Sequence, residues 1–333
     1  MRWGTVTLAD EPIELLLAFA AWHRHIGASE IHIFLDRPDE EAAAMLARIP
    51  GVIITQCDEL FWGANGGRKN LQTQRQVTVA NFAYAETAVD WIAHIDADEF
   101  LYPEHDMVAE LSAMPDGIDA AQLAVRERVW EQEKDPKSIF DGLFRVPVPG
   151  KLKLNRHIAK TNARFTSRGL VGHTSGKCIT RTGRGIPLGI HSPENPDELF
   201  IMESRATRLL HFDGMTPYHW LIKRLRYASL PHAEKMMDTD NYRWAQIAHL
   251  RETPEIWKAR RFAGHLTTLS QERIDELRAM RLIEDLSEFR PAEALSRYLP
   301  GEDINLSTSR FDRRTQQRHA SFADALRLEP GET

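Results

Sequence analysis

Cysteine is scarce: the 333-residue chain has two, Cys57 and Cys178, far apart and in no C-x-x-C spacing. That argues against a disulfide framework and against a cysteine-built structural zinc site. Long hydrophobic runs are missing too, since the apolar segment Leu15 to Trp22 is far too short to cross a bilayer. Met1 to Leu8 runs into a strand pattern with no signal-peptide character, so a cytoplasmic location is expected. Positive charge is not in excess. The formal net charge of -6 argues against a general nucleic-acid binder, and any anionic ligand must be met by local cations. No internal repeat or low-complexity tract stands out. The length allows one large α/β domain, or one domain with a helical appendage, and the second is expected.

What the chain does have is Trp91-Ile92-Ala93-His94-Ile95-Asp96-Ala97-Asp98-Glu99-Phe100-Leu101, a short apolar run that ends in three carboxylates. The run reads as a buried strand. In an extended backbone Asp96 and Asp98 share a face, with only Ala97 between them. Crowded carboxylates repel unless a cation stands among them, and hard oxygen donors suit Mg²⁺ or Mn²⁺. The plainer alternative is a solvated loop or a helix N-cap. Against it, the acids abut a buried strand and are followed at once by apolar Phe100 and Leu101.

Upstream, Thr5 to Ala9 reads as a first strand, Ile13 to His25 as a helix with Pro12 at its start, and Ile31 to Asp36 as a second strand, a βαβ unit. Asp39 to Ile49 is a predicted helix and Val52 to Thr55 a third strand. Phe61 to Asn70 is a glycine-containing loop with Arg68 and Lys69 that matches no phosphate-binding fingerprint, so it reads as a surface loop. It opens a helix from about Leu71 to Ala88. Downstream, Asp106 to Met114 reads as a helix, Ala120 to Trp130 as a strand, Glu131 to Arg156 as a long loop, and Lys177 to Thr180 as a strand. Arg208 to Trp220 joins an apolar pair to His211, Gly214 and a Pro217-aromatic turn. Tyr218 to Tyr227 is a basic amphipathic helix. Its face could meet an anionic membrane or an acceptor, or pack its Trp and Leu inward. Helices are predicted over Tyr242 to Phe262, Gln271 to Leu286 and Ala292 to Leu299, with a fraying tail beyond Ser307.

The Asp96-Ala97-Asp98-Glu99-Phe100 stretch resembles the metal-binding motif of nucleotide-sugar glycosyltransferases with the GT-A fold, in particular a bacterial family-two-like branch. Glu11, Trp22-His23, Gly27 and Asp36 fall where that branch carries similar residues, although its usual Arg-Asn before the Glu is Ala9-Asp10 here. Leu210-His211-Phe212-x-Gly214 is similar to the late motif of glycogenin-like transferases, with Thr216 in place of its phosphate-contacting Lys. The resemblance covers about the first third of the chain and the late His motif, and is thin between them.

What the resemblance implies is a GT-A α/β fold, a mostly parallel sheet flanked by helices. Residues 1–235 would be the catalytic domain, with 1–105 the nucleotide-binding half and 106–235 the acceptor and metal-completing half. Residues 236–333 would form a helical C-terminal region. The implied reaction moves a sugar from a nucleotide-diphosphate sugar, UDP-linked favoured, to a carbohydrate or lipid-linked acceptor in polysaccharide, glycolipid or glycoconjugate synthesis. The metal would be held by Asp96, Asp98 and His211, with His191 in reserve. Asp10, Glu11, Asp36, Arg75, Asp96 and Glu99 would meet the donor. Diphosphate charge would fall to Lys223, Lys177 or Arg75, and Glu127 and Asp213 are the candidate bases if the reaction inverts. Two other classes compete: a catalytically silent sugar-nucleotide-binding protein, and a metal-dependent phosphatase, which would need its D-x-D on the first strand. Whether the reaction retains or inverts, and the oligomeric state, are left open by the sequence.

Overall fold

The short apolar runs of the first hundred residues form strands, and those at residues 3–9 and 91–94 are buried on both faces. The computed structural model describes residues 1–150, 158–229, 241–253 and 255–325. In chain order the first elements are β1 (Trp3–Ala9), α1 (Ile13–His25), β2 (Glu30–Leu35), α2 (Glu40–Leu46), β3 (Val52–Gln56), α3 (Glu59–Ala64), α4 (Gln72–Glu86) and β4 (Trp91–His94). Then come β5 (Glu99–Pro103), α5 (Met107–Ser112), β6 (Ala120–Glu131), β7 (Leu143–Arg145), β8 (Lys177–Arg181) and β9 (Ile201–His211). The remainder is α6 (Pro217–Ala228), α7 (Tyr242–Arg251), α8 (Ile256–Thr267), β10 (Thr268–Leu269), α9 (Gln271–Ala279), β11 (Ile283–Glu284), α10 (Pro291–Tyr298), α11 (Thr308–Arg318) and α12 (Ala320–Ala325).

The chain divides into two compact units. The first comprises Met1–Val125, Ser175–Leu210 and Glu288–Ile304; the second comprises Arg126–Thr174, His211–Ser287 and Asn305–Thr333.

In the first unit β1 lies between β2 and β4, all parallel, and β3 joins β2 in parallel. The order β3-β2-β1-β4 is what successive right-handed crossovers produce. β8 adds antiparallel to β4, and the first part of β6 adds to β8. Every residue of β1 and of β4 is buried. α1 is buried continuously from Glu14 to His23, and α4 covers the sheet through Val79, Ala80 and Ala83, which pack with Val6, Phe34 and Ile92. Phe289, just before α10, closes over Trp22 and Phe100 edge to face. The architecture is mixed α/β, a mostly parallel sheet flanked by helices, consistent with the GT-A-like expectation. No helix among the described residues is long and apolar enough to cross a membrane.

In the second unit the later part of β6 pairs antiparallel with β7, and β11 pairs with β7. Beside them α6, α7 and α8 share an apolar core built on Trp220, Leu221, Leu250, Ala263 and Leu266.

Several boundaries differ from the sequence reading. The Phe61 to Ala64 segment is helical within α3, because Asp58 caps it by accepting from the Phe61 amide at 2.8 Å. The expected loop Glu131 to Arg156 contains β7; its last residues lie outside those described. The single helix expected over Tyr242 to Phe262 is two, α7 and α8, and the one expected over Gln271 to Leu286 ends at Ala279 and is followed by β11. The tail does not fray at Ser307. Ser307 caps α11, Phe311 is fully buried, and Asp312 accepts a hydrogen bond from the Thr216 hydroxyl at the start of α6. The final Glu329 to Thr333 lies outside the described residues.

Burial raises the Asp312 carboxyl from its ordinary 3.8 to about 6, against the lowering effect of the Thr216 hydroxyl. Between those values the folded chain keeps a proton that the unfolded chain has lost. The stabilisation is therefore full below about pH 4 and is lost as pH rises through about 6. Asp312→Asn removes this dependence. The wild-type minus variant difference in unfolding free energy should fall by about 2 kcal/mol between pH 4 and pH 7, measured by urea titration; parallel pH profiles would show an unperturbed carboxyl.

Candidate functional site

β4 ends because its apolar run ends: the Ile95 amide donates to Val6 at 3.1 Å, and the next residues turn. The Glu99 amide donates to the Asp96 carbonyl at 2.9 Å, and the Asp96 amide donates to Glu99 Oε2 at 2.8 Å. Asp96-Ala97-Asp98-Glu99 is thus a closed turn between β4 and β5, not extended strand. This corrects the expectation that strand alternation aims Asp96 and Asp98 together. The turn gathers the acids, at the carboxyl end of a parallel strand where ligands of open α/β sheets collect.

Burial ranks the three acids. Glu99 is fully buried and Asp98 nearly so, whereas the Asp96 side chain is 30% exposed. Against them stands Lys177, the first residue of β8 and fully buried, its Nζ 3.5 Å from Asp96 Oδ2 and 3.4 Å from Glu99 Oε2. Burial works against this charge, but Asp96 and Glu99 outweigh it and raise the lysine pKa. Gln76 of α4 donates to the other Asp96 oxygen. His94, the last residue of β4, has its Nδ1 2.8 Å from the Gly189 carbonyl. Burial first, then the Lys177 charge, lowers its pKa to about 4, so it is neutral.

The residues expected to meet a nucleotide sit nearby in the same unit, and their partners are specific. Asp36, at the end of β2, takes Arg75 Nη2 at 2.9 Å and Arg68 Nη2 at 2.7 Å. Arg75 also donates to the carbonyls of Lys69 and Asn70 at 2.8 and 3.1 Å. It is buried and ties the 68–70 loop to the sheet, which makes it a clamp rather than a surface cation. Asp10 accepts from Arg37 Nε at 2.8 Å, and Glu11 lies half-buried in the turn before α1. His191 sits in a bend between Leu188 and Pro193, not at a strand end as expected, with Nδ1 3.1 Å from the Gly176 carbonyl.

In the second unit a different buried polar group forms around Gly172. Its missing side chain is required: a Cβ there would lie 2.5 Å from His211 Cε1 and 2.7 Å from Glu127 Oε2. His211 ends β9, is buried, and tilts against His173 with ring centroids 4.6 Å apart. It is more enclosed than the cleft position expected for it. Glu127 accepts from the Val171 amide at 2.9 Å, from the Gly172 amide and from Arg145. Burial pushes its carboxyl up while Arg145 opposes. Both of its oxygens are engaged, so the geometry makes it the anchor of the 171–172 backbone and not the open proton acceptor expected.

Asp213 is corrected for the same reason. It is held by Arg224, by Arg243 Nη1 at 3.0 Å and by Trp220 Nε1 at 3.2 Å. Burial would raise its pKa, but Arg224 foremost, then His211 and Lys223, drive it well below the usual carboxylate range. A carboxylate so held does not take up a proton near neutral pH. Gln76, Arg145, Arg224 and Arg243 had no role in the sequence reading. Arg and Gln inside helices and short strands carry no motif, and their carboxylate partners are 11 to 30 residues away.

No family model and no curated protein matches the chain. Among solved structures it is similar to residues 1–349 of TarS from S. aureus, at 13% identity over 98% of this chain and 89% of that one, with a TM-score of 0.32. It is similar to A197 from STIV at 13% identity over 65% and 87% of the two chains, TM-score 0.29. A mycobacterial protein is similar at 12% identity and TM-score 0.29, over 54% of this chain, which spans only 53% of that one. None of these assigns an activity, so function must be read from the site's own residues.

Lys177→Met would leave Asp96 and buried Glu99 without their cation. We expect a loss on the order of 3 kcal/mol in urea unfolding, and a smaller one for Lys177→Arg, which keeps the charge. A loss below about 0.5 kcal/mol in Lys177→Met would mean that the pair contributes only what a surface ion pair does.

Proposed function

We propose that the chain is a metal-dependent glycosyltransferase that moves a sugar from a nucleotide-diphosphate sugar to an acceptor. The observation that carries this reading is the acidic turn at the carboxyl end of β4, where Asp96, Asp98 and Glu99 fall within four residues and Asp96 and Glu99 face the buried Lys177 ammonium. Carboxylate oxygens gathered in one turn are the hard ligands that Mg²⁺ or Mn²⁺ takes. The residues fit such an ion. Asp96, partly exposed and oriented by Gln76 and Lys177, would be its principal ligand, with Asp98 beside it.

In this reading the bound ion supplies Lewis-acid stabilisation to the departing diphosphate. Glu99 holds the turn through the Asp96 amide, and Lys177 is a positioning residue, fixing Asp96 without touching solvent. Asp36 with Arg75 and Arg68, and Asp10 with Arg37, shape the loops expected to receive the nucleoside. His211 keeps its expected role as a further ligand on the strength of the late motif. No residue is assigned as base, since Glu127 and Asp213 are both committed elsewhere. The donor is expected to be UDP-linked and the acceptor a carbohydrate or a lipid-linked carbohydrate. A cytoplasmic site of action, with peripheral membrane contact, is part of the proposal.

Turnover of a nucleotide-sugar panel to free nucleoside diphosphate, with Mn²⁺ and with chelator, tests the reaction. Activity should require the ion and fall about a hundredfold or more in Asp96→Asn. Calorimetry of Mn²⁺ with UDP should show binding that is lost in Asp98→Ala; unchanged binding would remove the metal site. His211→Ala should keep the fold and lose metal-dependent turnover, and wild-type metal affinity should drop as pH falls through the histidine range. Nucleotide binding without turnover of any donor would favour a silent sugar-nucleotide-binding protein.

A further inference from the structure

A concavity of about 240 Å³ lies wholly within the second unit, and none of its lining residues belongs to the acidic turn. That is room for far more than one water. Its floor is apolar: Val148, Leu277 and Leu282 belong to a core cluster with Val129 and Ile274. Its polar wall is cationic, with Arg145, Lys160 and Arg273, and no acidic side chain is among the described residues that line it.

The neighbouring acids do not cancel these charges evenly. Lys160 Nζ is 3.2 Å from Glu276, and Arg273 bonds the same carboxylate, so one acid serves two cations. Arg145 is 7% exposed and is held at its tip by Glu127, yet its Nε is buried with no hydrogen-bond partner among the described residues. A buried N–H of that kind is costly to leave unmatched. Ser270, also on the wall, caps the nine-residue helix α9, whose first turn adds partial positive charge.

We propose that this pocket is a binding site for a small molecule that carries an oxyanion, phosphate or carboxylate, on an apolar body. The oxyanion meets Arg273, Lys160 and the Arg145 Nε, and the apolar part rests on Leu277 and Leu282. The site stands independently of the glycosyltransferase reading, because none of its residues belongs to the acidic turn.

Calorimetric titration of the full chain with phenyl phosphate, benzoate and benzyl alcohol tests it. At least one of the two anions should bind saturably at one site, about tenfold or more tighter than the neutral alcohol. Which anion binds tells phosphate from carboxylate recognition. Arg273→Gln should weaken binding about tenfold. Since Arg273 also bonds the Ile158 carbonyl, Leu269→Trp, which fills the pocket without deleting a side-chain hydrogen bond, gives a second reading and should abolish binding. Asp96→Asn should leave it intact, so failure of the metal site and failure of this site are told apart. Absence of binding by either anion up to about 10 mM, or equal binding in folded Leu269→Trp, would overturn the proposal.

Discussion

Burying the Lys177 ammonium costs several kcal/mol of hydration unless carboxylates face it, and the first unit is arranged so that they do. The requirement acts in both directions. Glu99 is fully buried and would be as costly without the lysine, so β8, which carries Lys177, must lie antiparallel on β4 for the turn after β4 to close. Register and charge pairing therefore select the same arrangement. Once formed, the ion pairs hold Asp96 with one oxygen toward Lys177 and the other toward Gln76, leaving it as the turn's exposed carboxylate. Preorganisation of this kind is what a leaving-group site needs, since donors and acceptors already in place need no rearrangement during reaction.

The second unit solves the same problem differently. Asp213 is surrounded by Arg224 and Arg243, and Glu127 by Arg145 and two backbone amides, so each buried acid is satisfied by fixed donors. Gln246 links this network to the backbone by donating to the Phe165 and Val171 carbonyls at 2.7 and 2.9 Å. The segment bearing Gly172 is thereby tied down from several sides, Tyr242 adding a bond to its carbonyl at 2.6 Å. Such satisfied networks rigidify the fold.

The first hundred residues were legible because their patterning is local. Alternation, Pro12 before α1 and the glycine after it locate the elements to within a few residues, since backbone and solvent decide them. Asp96, Asp98 and Glu99 were legible as a cluster, but not as a turn, because a run of two-residue spacing looks the same in either backbone. Lys177 was visible only as one of several available cations. Its partners lie about eighty residues away, and only strand pairing brings them together. β7, β11 and the ordered tail were missed for a related reason: segments of two or three residues, or helices with few apolar positions such as α11, owe their structure to tertiary contacts rather than to propensity.

Thr216 shows how one side chain can join two helices. A lysine there would project a cation, whereas threonine accepts from the His219 amide at 3.0 Å and caps α6. Its hydroxyl proton is then free to bond Asp312, which brings α11 against the start of α6 and buries Phe311 beside His219. The residue thus staples α11 to the start of α6. Positive charge for an anionic ligand must accordingly come from residues that the fold, not the motif, positions. In each unit those are arginines and lysines already paired with a carboxylate, so an incoming anion competes with a partner rather than meeting a bare cation, which favours anions that arrive with more than one oxygen to offer.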